Sequence, residues 1–265
     1  MPRRPTPVVR ASNPWAWAGG GLLLGALAGL LMFAPASWLA QLLAQRTNGH
    51  VVLAQARGTI WNGSAQLVLA AGADSRVALA LPGRLVWKLR PAWGALIARI
   101  DATCCSAQPL QLQITPRWSG ARLALADGRS QWPAALLAGL GAPWNTVQLD
   151  GTLALSSRTL SLEWTDGRME VSGQAQLDAI GLSSRLSTLK PMGSYRMTLN
   201  GGATPTLTLE TLQGSLQLTG SGRWVGSRLR FNGVASAAPE REAALSNLLN
   251  ILGRRSGARS IITLG

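Results

Sequence analysis

The sequence predicts a mainly β protein, in which an N-terminal transmembrane helix precedes a curved, mostly antiparallel β-sheet domain with a few short helices. Three observations predict this fold. Positions 11–45 carry no charged residue. Beyond them, apolar and polar residues alternate in many short runs, and turn sequences rich in glycine separate the runs. The 265 residues leave room for one large domain or two small ones after the uncharged stretch.

The uncharged stretch has the length of a membrane span. Its central 19 residues, 15–33, would form a helix about 28 Å long, close to the roughly 30 Å hydrocarbon core of a bilayer. Pro14 suits the start of such a helix, and Pro35 suits its end. We predict a transmembrane helix over 14–36. Its membrane-anchoring residues are Trp15, Trp17, Leu22, Leu23, Leu24, Leu27, Leu30, Leu31, Phe33 and Trp38.

The flanking charges predict the orientation of this helix. Arg3, Arg4 and Arg10 precede it, whereas only Arg46 lies close behind it. The positive-inside rule therefore predicts a single-pass membrane protein whose residues 1–13 are cytoplasmic. Residues 37–48 would be a helical connector, and the domain that follows would lie on the other side of the membrane.

A cleaved signal peptide is the alternative for this segment. Ala34-Pro35-Ala36 has the small-x-small form of a cleavage site, which would start the mature protein near Ser37. The apolar region is longer than the roughly 7–15 residues of a typical signal, which favours the uncleaved anchor.

The formal charge of +14 comes mostly from arginine. The arginines are dispersed singly and do not cluster with stacking aromatic residues, which argues against nucleic acid as a partner. Attraction to anionic lipid headgroups or to an acidic protein is one interpretation. The other is a dispersed basic surface that only keeps the domain soluble.

The domain reads as roughly a dozen half-buried strands. Apolar residues alternate with polar ones in 85–90, 110–115, 160–165 and 228–232. The turn sequences between such runs are 71–74, 81–83, Asp127-Gly128, Asp166-Gly167 and 200–202. Helices are predicted at 37–45, 133–140 and 239–252.

Short sequence matches suggest an internal duplication. Residues 63–67 (GSAQL) return as 173–177 (GQAQL), and the Leu-Leu-x-x-Leu-Gly of 136–141 returns at 248–253. The matches are built from common residues, so chance is their rival. The two β-rich halves would be 49–142 and 143–265.

The sequence offers little for catalysis. His50 is the only histidine, and no nucleophile elbow, zinc-protease helix or phosphate-binding loop is present. Glu163, Asp166 and Glu170 form the closest acidic group, but they flank a predicted turn, where a solvated role is expected. We predict no catalytic, cofactor-binding or metal-binding residues, and no enzyme.

Cys104 and Cys105 are adjacent and are the only cysteines. A disulfide between neighbouring residues departs from the usual Cα separation, so we favour two unbonded strand or turn residues. A vicinal bond and an intermolecular bond remain alternatives in an oxidising compartment.

Eight tryptophans lie beyond the anchor. A row of them along a groove would bind acyl chains or a partner strand, whereas packing in the core and at sheet edges is the default expectation. They are Trp61, Trp87, Trp93, Trp118, Trp132, Trp144, Trp164 and Trp224.

Five short segments, in order, resemble the type II secretion system protein N family, also called general secretion pathway protein N. They are GTIWNGSA at 58–65, LGAPWNT at 140–146, SSRLS at 183–187, PMGSY at 191–195 and LGRR at 252–255. The family-motif residues are Gly58, Thr59, Trp61, Gly63, Pro143, Trp144, Asn145, Ser184, Arg185, Leu186, Ser187, Pro191, Gly193 and Tyr195. Met192 stands where the resemblance leads us to expect Leu.

The resemblance implies an accessory component of the type II protein secretion system, which exports folded proteins from the periplasm across the outer membrane. It also implies that the membrane is the cell inner membrane and that the β-rich domain lies in the periplasm. The implied role is protein–protein scaffolding, and no catalytic residue comes with the family. Implied partners are the inner membrane and the other inner-membrane subunits, with the outer-membrane secretin more distant. The alternative is a periplasmic lipid-binding or lipid-transfer β-groove protein similar to the AsmA type, with lipid as its ligand.

Overall fold

The computed structural model describes residues 14–72, 78–106, 108–166, 168–226 and 228–265. The helices are α1 (Pro14–Met32), α2 (Ala36–Arg46), α3 (Trp144–Val147) and α4 (Glu242–Leu252), with a 3₁₀ helix at Ala134–Leu140. The strands of the first half are β1 (Val51–Gly58), β2 (Asn62–Ala70), β3 (Ala78–Ala80), β4 (Leu85–Ala92), β5 (Ala95–Ala102), β6 (Leu110–Arg117), β7 (Gly120–Leu125) and β8 (Gly128–Pro133). Those of the second half are β9 (Leu149–Thr165), β10 (Arg168–Ser184), β11 (Gly193–Gly202), β12 (Thr206–Gly214), β13 (Leu216–Val225), β14 (Arg228–Ala237), β15 (Arg254–Ser256) and β16 (Arg259–Leu264).

All sixteen strands belong to one antiparallel sheet. Its main path runs β1-β2-β4-β5-β6-β7-β9-β10-β11-β12-β13-β14-β16-β15, while β3 pairs with β2 and β8 pairs with β9. The sheet is not closed, and 58% of the chain is strand, which confirms the prediction of a mainly β, antiparallel domain. Its curvature stays a prediction. An open sheet leaves unpaired backbone groups along β1 at one end of this path and along β15 and β16 at the other.

One face of the sheet carries the core, and we call it the inner face. Three buried clusters lie on it: one under α2, one beside the 3₁₀ helix and one under α4. Leu67 contacts the first two clusters, and Trp132 contacts the last two. The shared residues show that the helices cover the same face, as an alternation of apolar and polar residues along each strand requires.

The longest strands, β9 and β10, form the centre of the sheet with 17 residues each. Their pairing is irregular at two points, and at one of them Thr159 has φ +47° and Gly173 has φ +82°. A Cβ atom on Gly173 would collide with the backbone oxygen of Thr159, so the residue opposite this bulge is glycine. The backbone N–H of Thr159 donates a hydrogen bond of 2.5 Å to the Asp127 carboxylate.

The N-terminal helix is shorter than predicted. α1 ends at Met32, and Ala34 and Ala36 are already buried against the domain. No helix in the described part of the chain is both long enough and apolar enough to cross a membrane. The transmembrane helix predicted at 14–36 is therefore not confirmed.

The other helices follow the sequence closely. α2 corresponds to the helix predicted at 37–45, the 3₁₀ helix to that at 133–140, and α4 to the C-terminal part of that at 239–252. The short helix α3 is not predicted, because its four residues are too few for a periodic pattern. Of the turn sequences, residues 73–74 and Gly167 lie outside the described residues.

The favoured interpretation of the cysteines is wrong. Cys104 and Cys105 lie in a turn after β5, as expected, but they are bonded to each other in a vicinal disulfide. Cys105 packs with Leu81, Ala102 and Leu136 in the cluster beside the 3₁₀ helix. The pair therefore belongs to the packed edge of the core.

The two halves have a similar element order. Six main-path strands, β1-β2-β4-β5-β6-β7, precede the 3₁₀ helix, and six more, β9 to β14, precede α4. The matched segments 63–67 and 173–177 lie in the second strand of each half. The duplication itself stays a prediction.

Candidate functional site

The first family segment forms the turn between β1 and β2, against which the end of α1 is held. The indole N–H of Trp61 donates a hydrogen bond of 2.8 Å to the backbone oxygen of Leu31. The backbone N–H of Ile60 donates to the oxygen of Ala34 at 2.9 Å, and Pro35 forms a β-bridge with Thr59. These contacts join the N-terminal helix to the domain.

The glycines of this segment make room for close packing. Gly58 has φ +88°, and a Cβ atom there would strike the backbone oxygen of Asn62. A Cβ atom on Gly63 would overlap the ring of Trp87, which is buried and donates its indole N–H to the oxygen of Ile60 at 3.0 Å. The pattern Gly-Thr-x-Trp-x-Gly therefore specifies a tight turn that fits over a buried indole.

Three further family segments meet at the junction between the two halves. They surround a surface cleft of about 820 Å³ between the 3₁₀ helix, α3 and the C-terminal end of β10. We call it the junction cleft. The polar residues that line it are Asn145, Gln148, Asp150, Ser183, Ser184, Arg185 and Lys190.

Ser184 and Ser187 fix the segment that follows β10. The buried hydroxyl of Ser184 donates to the oxygen of Val147 at 2.5 Å and accepts from the N–H of Leu186 at 3.1 Å. The hydroxyl of Ser187 donates to the oxygen of Ala244 on α4 at 3.2 Å and accepts from the N–H of Leu189. Each serine bonds a backbone group two residues ahead, which is the geometry that short hydroxyl side chains favour in turns.

The fourth segment brings the chain from the cleft back into the sheet. Met192 is fully buried, and its backbone bonds Leu182, Ser215 and Leu216. The buried hydroxyl of Tyr195 donates to the oxygen of Leu216 at 3.1 Å, and burial raises the pKa of this phenol above its ordinary value. Methionine is unbranched and close to leucine in volume, so Met192 can fill this buried apolar site in place of leucine.

The charges at the mouth of the junction cleft are mixed. Arg185 and Lys190 are exposed beside the exposed Asp150, and none of the three forms an ion pair within the described residues. Trp144, which precedes the lining residue Asn145, is two-fifths exposed. Exposed cations next to an indole are suited to contact with a protein segment that carries carboxylates.

The structure thus brings together Pro143, Asn145, Ser184, Arg185 and Pro191 near one cleft, while 58–65 lies apart at the α1 end. Two residues that line the cleft, Lys190 and Gln148, were not singled out from the sequence. Lys190 did have a signal, since it is one of only two lysines and directly precedes the Pro191 segment. Gln148 had none. The fifth segment, 252–255, ends α4 and begins β15 at a third place.

Eight of the ten predicted anchoring residues lie on α1, while Phe33 follows α1 and Trp38 lies on α2. All ten are exposed, which leaves the apolar helix α1 without neighbours from the described part of the chain along most of its length. The exposed members are Trp15, Trp17, Leu22, Leu23, Leu24, Leu27, Leu30, Leu31, Phe33 and Trp38.

Two ion pairs within the described residues have a structural role. Arg196 donates to both carboxylate oxygens of Asp178 at 2.8 and 2.9 Å, and these bonds hold the pKa of Asp178 below its ordinary value. Glu163 pairs with Arg117 at 3.2 Å beside the β9–β10 turn. His50 is exposed, with Nδ1 3.0 Å from the oxygen of Ala70. Among the described residues, no group of three or more acidic, histidine or cysteine side chains has the geometry of a metal site.

A comparison with protein-family models extends the resemblance seen in the sequence. The model of type II secretion system (T2SS), protein N, matches residues 49–262, which include the whole sheet up to β16. No curated protein and no solved structure matches the chain. The match covers well over half of the chain, so this protein belongs to the type II secretion system protein N family.

Proposed function

We propose that this chain is an accessory inner-membrane component of the type II secretion system, which supports export of folded proteins from the periplasm by protein–protein scaffolding. The family match over residues 49–262 is the observation that carries the proposal. Its partners are the other inner-membrane subunits of the machine, with the secretin at a greater distance. A scaffolding role requires surfaces that bind partner proteins and does not require a catalytic site.

Membrane attachment through α1 is part of this proposal. The apolar side chains of α1 are exposed on all sides, and water is a poor environment for such a surface. Residues 31–36 connect it tightly to the domain through Trp61 and Ile60. We infer that α1 holds the domain at the periplasmic side of the inner membrane.

Accessibility of single cysteines tests this location. A cysteine introduced at Gln213, exposed in β12, should react with a membrane-impermeant maleimide once the outer membrane is opened. A cysteine at Thr6 should react only after the inner membrane is also broken, if the predicted cytoplasmic N-terminus is correct. Reaction of Gln213→Cys only after inner-membrane lysis would refute the periplasmic location.

The scaffolding role has two kinds of surface available. The backbone of β1 has no strand neighbour on its outer side in the described chain, so a partner strand can extend the sheet there. The junction cleft offers Arg185 and Lys190 to a side-chain contact, and Trp144 is exposed next to the lining residue Asn145. A site-specific photo-cross-linker at Gln55 on β1, or at Arg185, would report which surface meets a secretion subunit.

A second candidate function is lipid binding, and the inner face favours it. Several apolar residues of this face are half-buried and belong to none of the three clusters under the helices. They are Leu96, Leu112, Ile114, Leu123, Leu162, Met197, Leu199 and Leu207. An apolar surface of this extent suits acyl chains.

Native mass spectrometry of the purified full chain separates the two candidates. Stoichiometric phospholipid on the protein would support the lipid-binding role, and a lipid-free protein would exclude it. Leu199→Asp should abolish binding, because Leu199 lies on the inner face opposite Leu207. Asn200→Asp is the matched control, since the neighbouring residue on β11 points to the other face and bonds Gln174.

A further inference from the structure

The turns at one end of the sheet carry a row of tryptophans. Because successive strands of a meander reverse direction, the β1–β2, β4–β5, β6–β7 and β9–β10 turns all lie at the same end. These four hairpins are neighbours in the sheet. Each has a tryptophan in its turn or next to it: Trp61, Trp93, Trp118 and Trp164. We call this set the tip row.

Two members of the tip row are fully exposed among the described residues, so packing against them does not explain their presence. Trp93 has a relative exposure of 105% and Trp118 of 106%, whereas Trp87 on β4 has 3%. Trp164 is 40% exposed. A fully exposed indole gains nothing from the core, so its large apolar surface is available to something outside the domain.

α1 leaves the domain at the same end of the sheet as the tip row. Trp61 bonds the oxygen of Leu31, and Phe33 is 77% exposed directly beyond it. The tryptophans therefore continue the exposed apolar surface of α1. Eight strands about 4.8 Å apart give the row a length of roughly 34 Å, which suits an extended surface rather than a pocket.

Cations next to the row indicate the chemistry of that surface. Lys88 and Arg99 are directly opposite each other on β4 and β5, both exposed, and Arg90 is exposed two residues nearer the tip. Like charges opposite each other repel, and an anionic surface would relieve this repulsion. Tryptophan together with lysine or arginine is the combination that favours the headgroup layer of an anionic bilayer.

We propose that the tip row is a second membrane contact, in which Trp93 and Trp118 enter the headgroup layer of the bilayer to which α1 attaches, with Lys88 and Arg90 facing anionic headgroups. The contact would set the sheet upright on the membrane. Its opposite end, with the junction cleft, would then face away from the bilayer. This inference rests on the proposed attachment through α1.

The test uses the full chain in nanodiscs of phosphatidylethanolamine and phosphatidylglycerol, with no other protein. Trp93→Cys and Trp118→Cys each carry an environment-sensitive fluorophore, attached under non-reducing conditions that keep the Cys104–Cys105 bond. Gln213→Cys, near the β12–β13 turn at the other end of the sheet, is the matched control. We expect a lipid-borne quencher at headgroup depth to reduce emission at 93 and 118 at least twofold, and emission at 213 by less than a tenth.

Equal emission with and without the quencher at 93 and 118 would overturn the proposal, and would point to a protein partner for these tryptophans. Failure of the chain to co-elute with nanodiscs would instead refute attachment through α1, so the two failures are distinguishable. Lys88→Glu combined with Arg90→Glu should remove the quenching at 93. Arg254→Glu combined with Arg255→Glu makes the same change in net charge on β15, at the far edge of the sheet, and should leave the quenching at 93 intact. An equal loss of quenching with both pairs of substitutions would contradict a local contact.

Discussion

The indole N–H of Trp61 donates a hydrogen bond of 2.8 Å to the backbone oxygen of Leu31, one residue before the end of α1. The last carbonyl groups of a helix have no partner within the helix, so this bond satisfies one of them. It also connects a family-motif residue of the β-domain to the helix that we propose as its attachment. If α1 is the attachment, this contact fixes the end of the sheet that lies nearest the membrane.

Trp61→Phe should loosen α1 without unfolding the domain. The ring remains, but the hydrogen bond, with a net value of about 1 kcal/mol, is lost. We expect cleavage at residues 33–35 by a low concentration of protease to become about fivefold faster, while the denaturation midpoint of the domain is unchanged. Trp93→Phe removes an indole that makes no hydrogen bond within the described structure and is the control; equal acceleration in both variants would contradict the role of Trp61.

Gly63→Ala should destabilise the domain, because the added methyl group overlaps the ring of Trp87. Overpacking of this kind costs about 1–3 kcal/mol in the free energy of unfolding. Chemical denaturation measures it. Combining Gly63→Ala with Trp87→Leu should cost less than the sum of the two single changes, because the smaller side chain gives space to the methyl group. Strict additivity would show that the two residues do not share this space.

Replacing Ser184 should destabilise the domain, because its buried hydroxyl bonds two backbone groups. Ser184→Ala leaves the oxygen of Val147 and the N–H of Leu186 without a buried partner, and should cost about 1–3 kcal/mol of unfolding free energy. Ser246→Ala, an exposed hydroxyl on α4, is the control and should cost under about 0.5 kcal/mol. Equal denaturation midpoints for Ser184→Ala and the wild-type chain would contradict the structural role of Ser184.

Arg185→Glu combined with Lys190→Glu should leave the denaturation midpoint nearly unchanged, since both side chains are exposed and unpaired within the described residues. If the junction cleft is a docking surface, the pair should nevertheless reduce the amount of exported protein in the medium of cells that carry it. Arg254→Glu combined with Arg255→Glu supplies the same charge change away from the cleft. Normal export with the cleft pair would remove this cleft from the proposed docking surfaces.

The Asp178–Arg196 pair predicts a pH dependence. The pKa of Asp178 is lowered in the folded chain, so the stabilisation is fully present above the unfolded pKa of about 3.9 and is lost as pH falls through the folded pKa. The pair is partly exposed, and we expect Asp178→Asn to cost about 0.5–1 kcal/mol at pH 7. Unfolding free energies of both proteins should converge near pH 2. A difference that persists undiminished at pH 2 would contradict an electrostatic origin.

Local patterns in the sequence were sufficient for much of the fold. The alternation in 110–115 and 85–90 predicts β6 and β4, because a half-buried strand needs apolar residues on one side only. The turn predicted at Asp127-Gly128 is wrong, because β7 and β8 both pair antiparallel with β9, run in the same direction and are separated only by a bend at Asp127. The pairing of β8 could not be predicted from such local patterns. β8 and β7 both pair with the same edge of β9, one after the other, and only the length of β9 allows this.

The remaining features depend on contacts that are distant in sequence. The tip row cannot be recognised from Trp61, Trp93, Trp118 and Trp164 alone, because their shared end follows from the order of the strands. Packing was the expected role of the tryptophans, which is correct for Trp87 and wrong for Trp93 and Trp118. Three of the five family segments likewise meet at the junction cleft, because the C-terminal end of β10 lies beside α3 and the 3₁₀ helix.

The most direct test of the central claim is affinity purification of the full chain from cross-linked native membranes, followed by quantitative mass spectrometry. A tagged inner-membrane protein unrelated to secretion, expressed at the same level, is the control. The account predicts that inner-membrane subunits of the type II secretion system are enriched several-fold over this control. Recovery of no secretion subunit above the control would contradict a scaffolding role in that machine.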